Sequence, residues 1–143
     1  MRLYLDTSSL IKLYHEEDDS NKMDNLISSA VEVYLSEIAL LEFRSAVWRK
    51  CREKEISEDV ARGLVAEFQN DYAEYSWVVL DSNTISSAQA LLMTYGGQGL
   101  RALDSIQLAS ALTLKGKNCR CVTFDKALNE FFKKENLDVL PNG

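Results

Sequence analysis

The 143-residue chain has little of what marks secreted, membrane-bound or histidine-dependent proteins. It contains one histidine, one proline and three cysteines, and an odd, small set of cysteines argues against a disulfide framework. No apolar run approaches the roughly 20 residues of a membrane span, and the N-terminus has no signal-peptide pattern. These absences predict a cytoplasmic protein with no membrane partner.

Positive charge is also scarce. The chain has 22 acidic against 16 basic residues, a formal net charge of −6. A protein of this charge does not bind nucleic acid by bulk charge alone, so binding or cleavage of a phosphate group would need bound cations. Hydrophobic residues make up 46% of the chain, enough to bury the core of one ordinary domain.

Short apolar runs alternate with helical patterns along the chain. Three runs are clear strand candidates and two are weaker: Leu3–Leu5, Trp77–Leu80 and Cys119–Thr123, then Val33–Leu35 and Val139–Leu140. The helical segments are Thr7–Tyr14, Asn21–Ser29, one from a Ser36 cap to about Glu53, one from a Ser57 cap to about Glu74, Ser82–Tyr95, Ala102–Lys115 and Asp125–Glu135. The pattern predicts an α/β fold, a single domain over residues 1–143 with a mainly parallel central sheet flanked by helices.

Four acids occupy positions that solubility alone does not explain. Asp6 and Asp125 each follow an apolar strand, at the sheet edge where parallel sheets form their sites. Glu42 shares a helix face with small and apolar residues, and Asp104 shares one with Leu108. The sequence therefore places four carboxylates where a buried or half-buried cluster could form.

Each acid also has a simpler structural explanation. Asp6 and Asp125 could cap the helices that follow them, Asp104 could favour the positive end of its helix, and Glu42 could pair with Arg49. These explanations are independent of one another, so it is less probable that all four hold at once than that any one of them does. Four converging acids would repel, and hard cations such as Mg²⁺ or Mn²⁺ would offset that repulsion. Such ions suit displacement reactions at phosphorus.

The acids lie within four motifs in a fixed order. "LDTSSLIKLY", "LSEIALLEF", "LRALDSIQLASAL" and "CVTFDKAL" follow one another along nearly the whole chain. In this order they resemble the acidic motifs of PIN-domain nucleases, and most of all the VapC-type toxin ribonucleases of VapBC toxin–antitoxin pairs. The resemblance implies a Mg²⁺- or Mn²⁺-dependent endoribonuclease that cuts RNA phosphodiesters with metal-activated water.

The resemblance also assigns residues and partners. It implies that the catalytic, metal-binding acids are Asp6, Glu42, Asp104 and Asp125, and that Ser8 and Thr123 orient water or a carboxylate beside them. It further implies an RNA substrate, a cognate antitoxin protein and a homodimer. From their spacing, Arg101, one turn before Asp104, and Arg49, further along the Glu42 helix face, are candidates to contact RNA.

Other functions stay open at this stage. A housekeeping PIN-domain nuclease acting on RNA or DNA would use the same acids without a toxin role. A phospho-receiver domain has a similar size and fold class but needs paired acids after the first strand, where this chain has Asp6 alone. A haloacid-dehalogenase-type phosphatase needs a D-x-D motif, and position 8 is serine.

Overall fold

A five-stranded sheet forms the centre of the molecule in this computed structural model, which describes residues 1–141. The strands are β1 (Arg2–Leu5), β2 (Glu32–Ser36), β3 (Ser76–Val78), β4 (Cys119–Val122) and β5 (Val139–Leu140). All neighbouring strands are parallel, in the order β3-β2-β1-β4-β5. Leu5 lies opposite Leu35 on one side and Val122 on the other, so β1 ends between two strand ends.

Seven α-helices connect and cover these strands in the described part of the chain. They are α1 (Thr7–Leu10), α2 (Ser20–Ser28), α3 (Ala39–Arg52), α4 (Glu58–Asn70), α5 (Ser82–Tyr95), α6 (Ala102–Leu112) and α7 (Lys126–Lys134). Short 3-10 turns at Ile11–Leu13 and Tyr72–Glu74 end two segments that the sequence predicted as longer helices. The α/β class and the parallel sheet predicted from the sequence are confirmed.

The start of α3 differs from the sequence prediction. Ser36 was expected to cap this helix, but it is the last residue of β2, and α3 begins at Ala39. The Ser36 hydroxyl instead accepts a hydrogen bond from the backbone N–H of Ile38, at 3.2 Å. As a result Glu42 lies in the first turn of α3 and not in the middle of the helix.

Side chains alternate across the sheet and build two cores. Leu3 and Leu5 of β1 pack on one face with α1 to α4, around Phe43 and Phe68. Tyr4 points to the other face and packs with α5, α6 and α7. Burial of β1 on both faces explains its continuous apolar run. Among residues 1–141, no helix has both the length and the apolar character needed to cross a membrane.

Candidate active site

Asp6 is a buried carboxylate at the end of the central strand. Its side chain is 2% exposed and accepts hydrogen bonds from the Ser9 N–H at 3.0 Å, the Ser9 hydroxyl at 2.9 Å and the Ser8 hydroxyl at 2.8 Å. The Thr123 hydroxyl, from the segment after β4, donates to the other carboxylate oxygen. The predicted capping role of Asp6 on α1 is confirmed, and its donors come from both neighbouring segments.

Burial raises the pKa of the Asp6 carboxyl above its ordinary value, although the hydrogen bonds from Thr123, Ser9 and Ser8 oppose that rise. The two causes work against each other because burial disfavours the charged form while donors favour it. Asp6 is therefore held in position by donors suited to a carboxylate, in surroundings that penalise its charge. A cation beside it would remove that penalty.

Glu42 reaches the same region from α3. Its Oε1 accepts hydrogen bonds from Thr7 Oγ1 at 3.0 Å and Gln107 Nε2 at 2.7 Å. Burial raises the pKa of Glu42, these two bonds lower it, and the nearby charges of Asp6 and Asp104 raise it again. The repulsion from two other acids shows that Glu42 faces their side of the molecule.

Asp104 and Asp125 complete the group. Asp104 lies in the first turn of α6, where burial and the charge of Asp125 raise its pKa and Arg101 lowers it. Asp125 caps α7 by accepting from the Leu128 N–H at 3.0 Å, and its own N–H donates to Thr123 Oγ1 at 3.0 Å. The simple explanations, a cap at Asp125 and a first-turn acid at Asp104, are therefore correct, yet both acids also interact with the group.

The acids form an open group. Within residues 1–141, no three His, Cys, Asp or Glu side chains are gathered closely enough to form a ready-made metal site. The donor chemistry nonetheless suits a hard divalent cation, since carboxylate oxygens are the ligands that Mg²⁺ and Mn²⁺ prefer. Burial is the largest cause of the raised pKa values of Asp6, Glu42 and Asp104, because it disfavours the charged form of a carboxyl.

Two clefts meet beside Thr7. The larger, of about 420 Å³, is lined by Glu42, Arg49 and Leu103 among others. The smaller, of about 300 Å³, runs past Ser8, Arg49 and Phe124. Of the four acids, Glu42 lines the larger cleft, and the two clefts share Thr7, Ala46 and Arg49.

The two candidate arginines differ in their surroundings. Arg49 lines both clefts, and its guanidinium lies 3.8 Å from Glu53 on the same helix. The alternative pairing of Arg49 with Glu42 is therefore wrong. Arg101 is exposed just before α6 and acts electrostatically on Asp104. Their contact with RNA stays a prediction.

The four acids lie within one stretch that matches a known family model. The model of the PIN domain covers residues 3–134 of the chain. The chain belongs to the PIN domain family. This assignment confirms the family inferred from the four motifs, and it leaves no basis for the phospho-receiver interpretation.

Known PIN domain proteins of the VapC type are similar to this chain over almost its full length. Ribonuclease VapC3 of Pyrobaculum aerophilum is 26% identical over 132 residues, which are 92% of this chain and 95% of that protein. The structure of VapC20 from Mycobacterium tuberculosis, described as a Sarcin-Ricin loop cleaving toxin, matches with a TM-score of 0.69 and 16% identity over 90% of this chain and 94% of that one. VapBC2 from Rickettsia felis, bound to a DNA fragment from its promoter, matches with a TM-score of 0.64 and 17% identity over 97% of both chains. The resemblance to VapC-type proteins is thus confirmed.

The sequence pointed to most of the polar residues of this PIN domain site but not to all. Ser8 and Thr123 contact Asp6, at the positions that the family resemblance gave them, although their role in catalysis stays a prediction. Thr7 and Gln107, which both bind Glu42, were missed. The position of Gln107, three residues after Asp104 and so on the same helical face, is a signal that could have identified it.

Proposed function

We propose that the protein is an endoribonuclease that depends on Mg²⁺ or Mn²⁺, and that it is the toxin of a VapBC-type pair. One observation carries the proposal: two carboxylates with little exposure, Asp6 and Glu42, are held by hydrogen-bond donors at the carboxyl edge of a parallel sheet, where Thr123 also joins Asp6 to the backbone of Asp125. Such an arrangement is costly unless a cation uses it. The similarity to Ribonuclease VapC3 supports RNA as the substrate.

In this proposal Asp6, Glu42, Asp104 and Asp125 hold the cation. The bound ion would act as a Lewis acid that activates the attacking water and stabilises the leaving oxygen. The chain's own contribution is to fix the carboxylates: Ser8, Ser9 and Thr123 hold Asp6, while Thr7 and Gln107 hold Glu42. No side chain becomes covalently attached to the substrate.

In this proposal the acids accept an RNA phosphate beside them only when a cation is bound. Without a cation the four carboxylates are negative and repel phosphates, so cation binding is needed for productive RNA binding as well as for chemistry. Arg49 and Arg101 lie on the rim, where a phosphate of the bound strand would pass. His15, the single histidine, lies beside Glu17 at 3.7 Å and is not used as a general base.

Two kinds of protein partner are part of the proposal. Leu41 and Leu103 are 66% and 51% exposed and flank the larger cleft, so an antitoxin segment that covers them would also block the acids. For the homodimer, Ile85 and Met93 on α5 expose further apolar surface, with Met93 88% exposed.

The decisive experiment analyses the products of RNA cleavage. Purified protein is incubated with bulk tRNA in Mn²⁺ or in EDTA, and the RNA ends are mapped. We expect cleavage only with the metal, leaving 5′-phosphate and 3′-hydroxyl ends. Cleavage that persists in EDTA, or a 2′,3′-cyclic phosphate, would contradict the metal assignment, because the cyclic product requires attack by the RNA's own 2′-hydroxyl.

A matched pair of variants tests the acid group, and a growth assay tests the toxin role. Asp6→Asn is expected to abolish cleavage, whereas Asp81→Asn should not, because Asp81 caps α5 through the Thr84 N–H in the same way but outside the acid group.

Expression in a bacterial host should stop growth, and co-expression of a neighbouring antitoxin gene should restore it. Normal growth alongside active cleavage in vitro would instead favour a housekeeping nuclease.

A further inference from the structure

Gln107 is a buried polar side chain, and both the nitrogen and the oxygen of its amide form hydrogen bonds. It is 2% exposed and lies one helical turn after Asp104 in α6. Its Nε2 donates to Glu42 Oε1 at 2.7 Å and to Thr7 Oγ1 at 3.3 Å, and its Oε1 accepts from the Tyr4 hydroxyl. A buried amide is costly unless it is paired in this way.

The Tyr4 hydroxyl holds the other end of the amide. The Tyr4 side chain is fully buried, and its hydroxyl lies within hydrogen-bond distance of Gln107 Oε1 and 3.2 Å from the backbone oxygen of Gln107. A carboxylate only accepts hydrogen bonds, while the amide nitrogen only donates. A flipped amide would place its oxygen against the Glu42 carboxylate, so Glu42 selects the orientation that presents the nitrogen, and Tyr4 supports that orientation by donating to the amide oxygen.

The network holds one oxygen of Glu42 and leaves the other for the cleft. Thr7 and Gln107 both donate to Oε1, and no donor within residues 1–141 reaches Oε2. The side chain also lines the larger cleft. The carboxylate is thus anchored from the protein interior, with one oxygen available to a ligand outside it.

We infer that Gln107, supported by Tyr4, is the positioning residue that prepares Glu42 to bind the cation. This inference rests on the proposed function, in which Glu42 is a metal ligand. Groups that hydrogen-bond a ligating side chain fix its orientation, and their loss commonly weakens metal binding by about 10- to 100-fold. Helix α6 then supplies two residues to the site, Asp104 and Gln107.

The test measures Mn²⁺ binding to the whole protein by calorimetry, without RNA. Gln107→Met keeps the length of the side chain but removes the donor, and should raise the Kd for Mn²⁺ by about tenfold or more. Thr84→Val is the matched control, because Thr84 is a buried polar residue of α5 whose hydroxyl bonds the backbone oxygen of Val79 at 3.0 Å rather than Glu42. Its Kd should equal that of the wild type.

A second variant keeps the inference testable if Gln107→Met does not fold, as judged by its melting curve in EDTA. Tyr4→Phe leaves Gln107 in place but removes the hydroxyl that supports its orientation, and should weaken Mn²⁺ binding in the same direction to a smaller extent. If the folded variants bind Mn²⁺ as tightly as the wild type, the positioning role is wrong while the proposed function stands. The role is equally wrong if Thr84→Val weakens binding as much as they do. A wild-type protein that binds no Mn²⁺ would overturn both the inference and the proposed function.

Discussion

Asp6 both caps α1 and carries a charge, and two substitutions separate these roles. Asp6→Asn keeps the shape of the side chain and the oxygen that accepts from the Ser9 N–H, but it removes the negative charge. Asp6→Ala removes the charge and the cap together. The comparison between the two variants therefore measures what the charge itself does for stability.

The alanine variant should be clearly destabilised. Loss of a helix cap costs about 1 kcal/mol, and each buried donor left without an acceptor adds about 1–3 kcal/mol. The Ser9 hydroxyl keeps the Val122 oxygen as an acceptor, at 2.9 Å, so the orphaned donors are mainly the Ser9 N–H and the Thr123 hydroxyl. We expect a loss of about 2–4 kcal/mol, which lowers the melting temperature by roughly 5–15 °C in a chain of this size.

The asparagine variant should melt at or above the wild-type temperature in EDTA. The hydroxyls of Ser8 and Thr123 each accept one backbone N–H, from Phe124 and Asp125 respectively, and each has a second lone pair to receive the new amide. Removal of the charge also ends its burial penalty and its repulsion of Glu42. The relief of this penalty and this repulsion offsets the one hydrogen bond that the Thr123 hydroxyl no longer donates to residue 6.

The assay is thermal unfolding in EDTA and in Mn²⁺, with RNA cleavage measured on the same preparations. The wild type should melt at a higher temperature in Mn²⁺, since a ligand that binds only the folded state stabilises it, and both Asp6 variants should lose this rise. The reasoning is refuted if Asp6→Asn melts as low as Asp6→Ala, or if Asp6→Asn still gains stability from Mn²⁺.

Three further predictions concern charge. The pKa values of the Asp6, Glu42 and Asp104 carboxyls are raised on folding, so the stability that these groups contribute should fall as pH rises above their ordinary values near 4; in EDTA melts the wild type should therefore lose stability relative to Asp6→Asn as pH rises, and a constant difference between the two would contradict this. Arg101→Ala removes the charge that lowers the pKa of Asp104, so the acid limb of the pH–activity profile should move to higher pH, and an unmoved limb would exclude the effect. Arg49→Ala should leave the melting temperature unchanged, since its exposed pair with Glu53 contributes little, but should weaken RNA binding and reduce its salt dependence. Lys133→Ala, which removes an exposed cation paired on α7, is the control and should bind RNA normally.

The fold could be predicted because its signals are local. Every predicted strand is present, since buried parallel strands are continuous apolar runs between polar turns. The acids Asp6 and Asp125 could be placed at one edge because parallel strands end on the same side. Ser57 caps α4 as expected, through the Val60 N–H at 3.2 Å.

The features that could not be predicted depend on contacts between distant segments. Ser36 has the composition of a helix cap, but pairing of β2 with β3 holds it in extended backbone opposite Val78. Gln107 shares a helix face with Asp104, but its burial and its hydrogen bonds depend on residues such as Tyr4, 103 residues away. Local sequence patterns contain no information about such pairings.

The central position of β1 has a consequence for when activity can arise during translation. Thr123, the donor that reaches Asp6 from the far side, is made 117 residues after Asp6. A nascent chain that has not yet formed β4 lacks this donor and lacks Asp125 as well. For the proposed nuclease, a ribosome can therefore complete most of the protein before its product becomes able to cut the RNA around it.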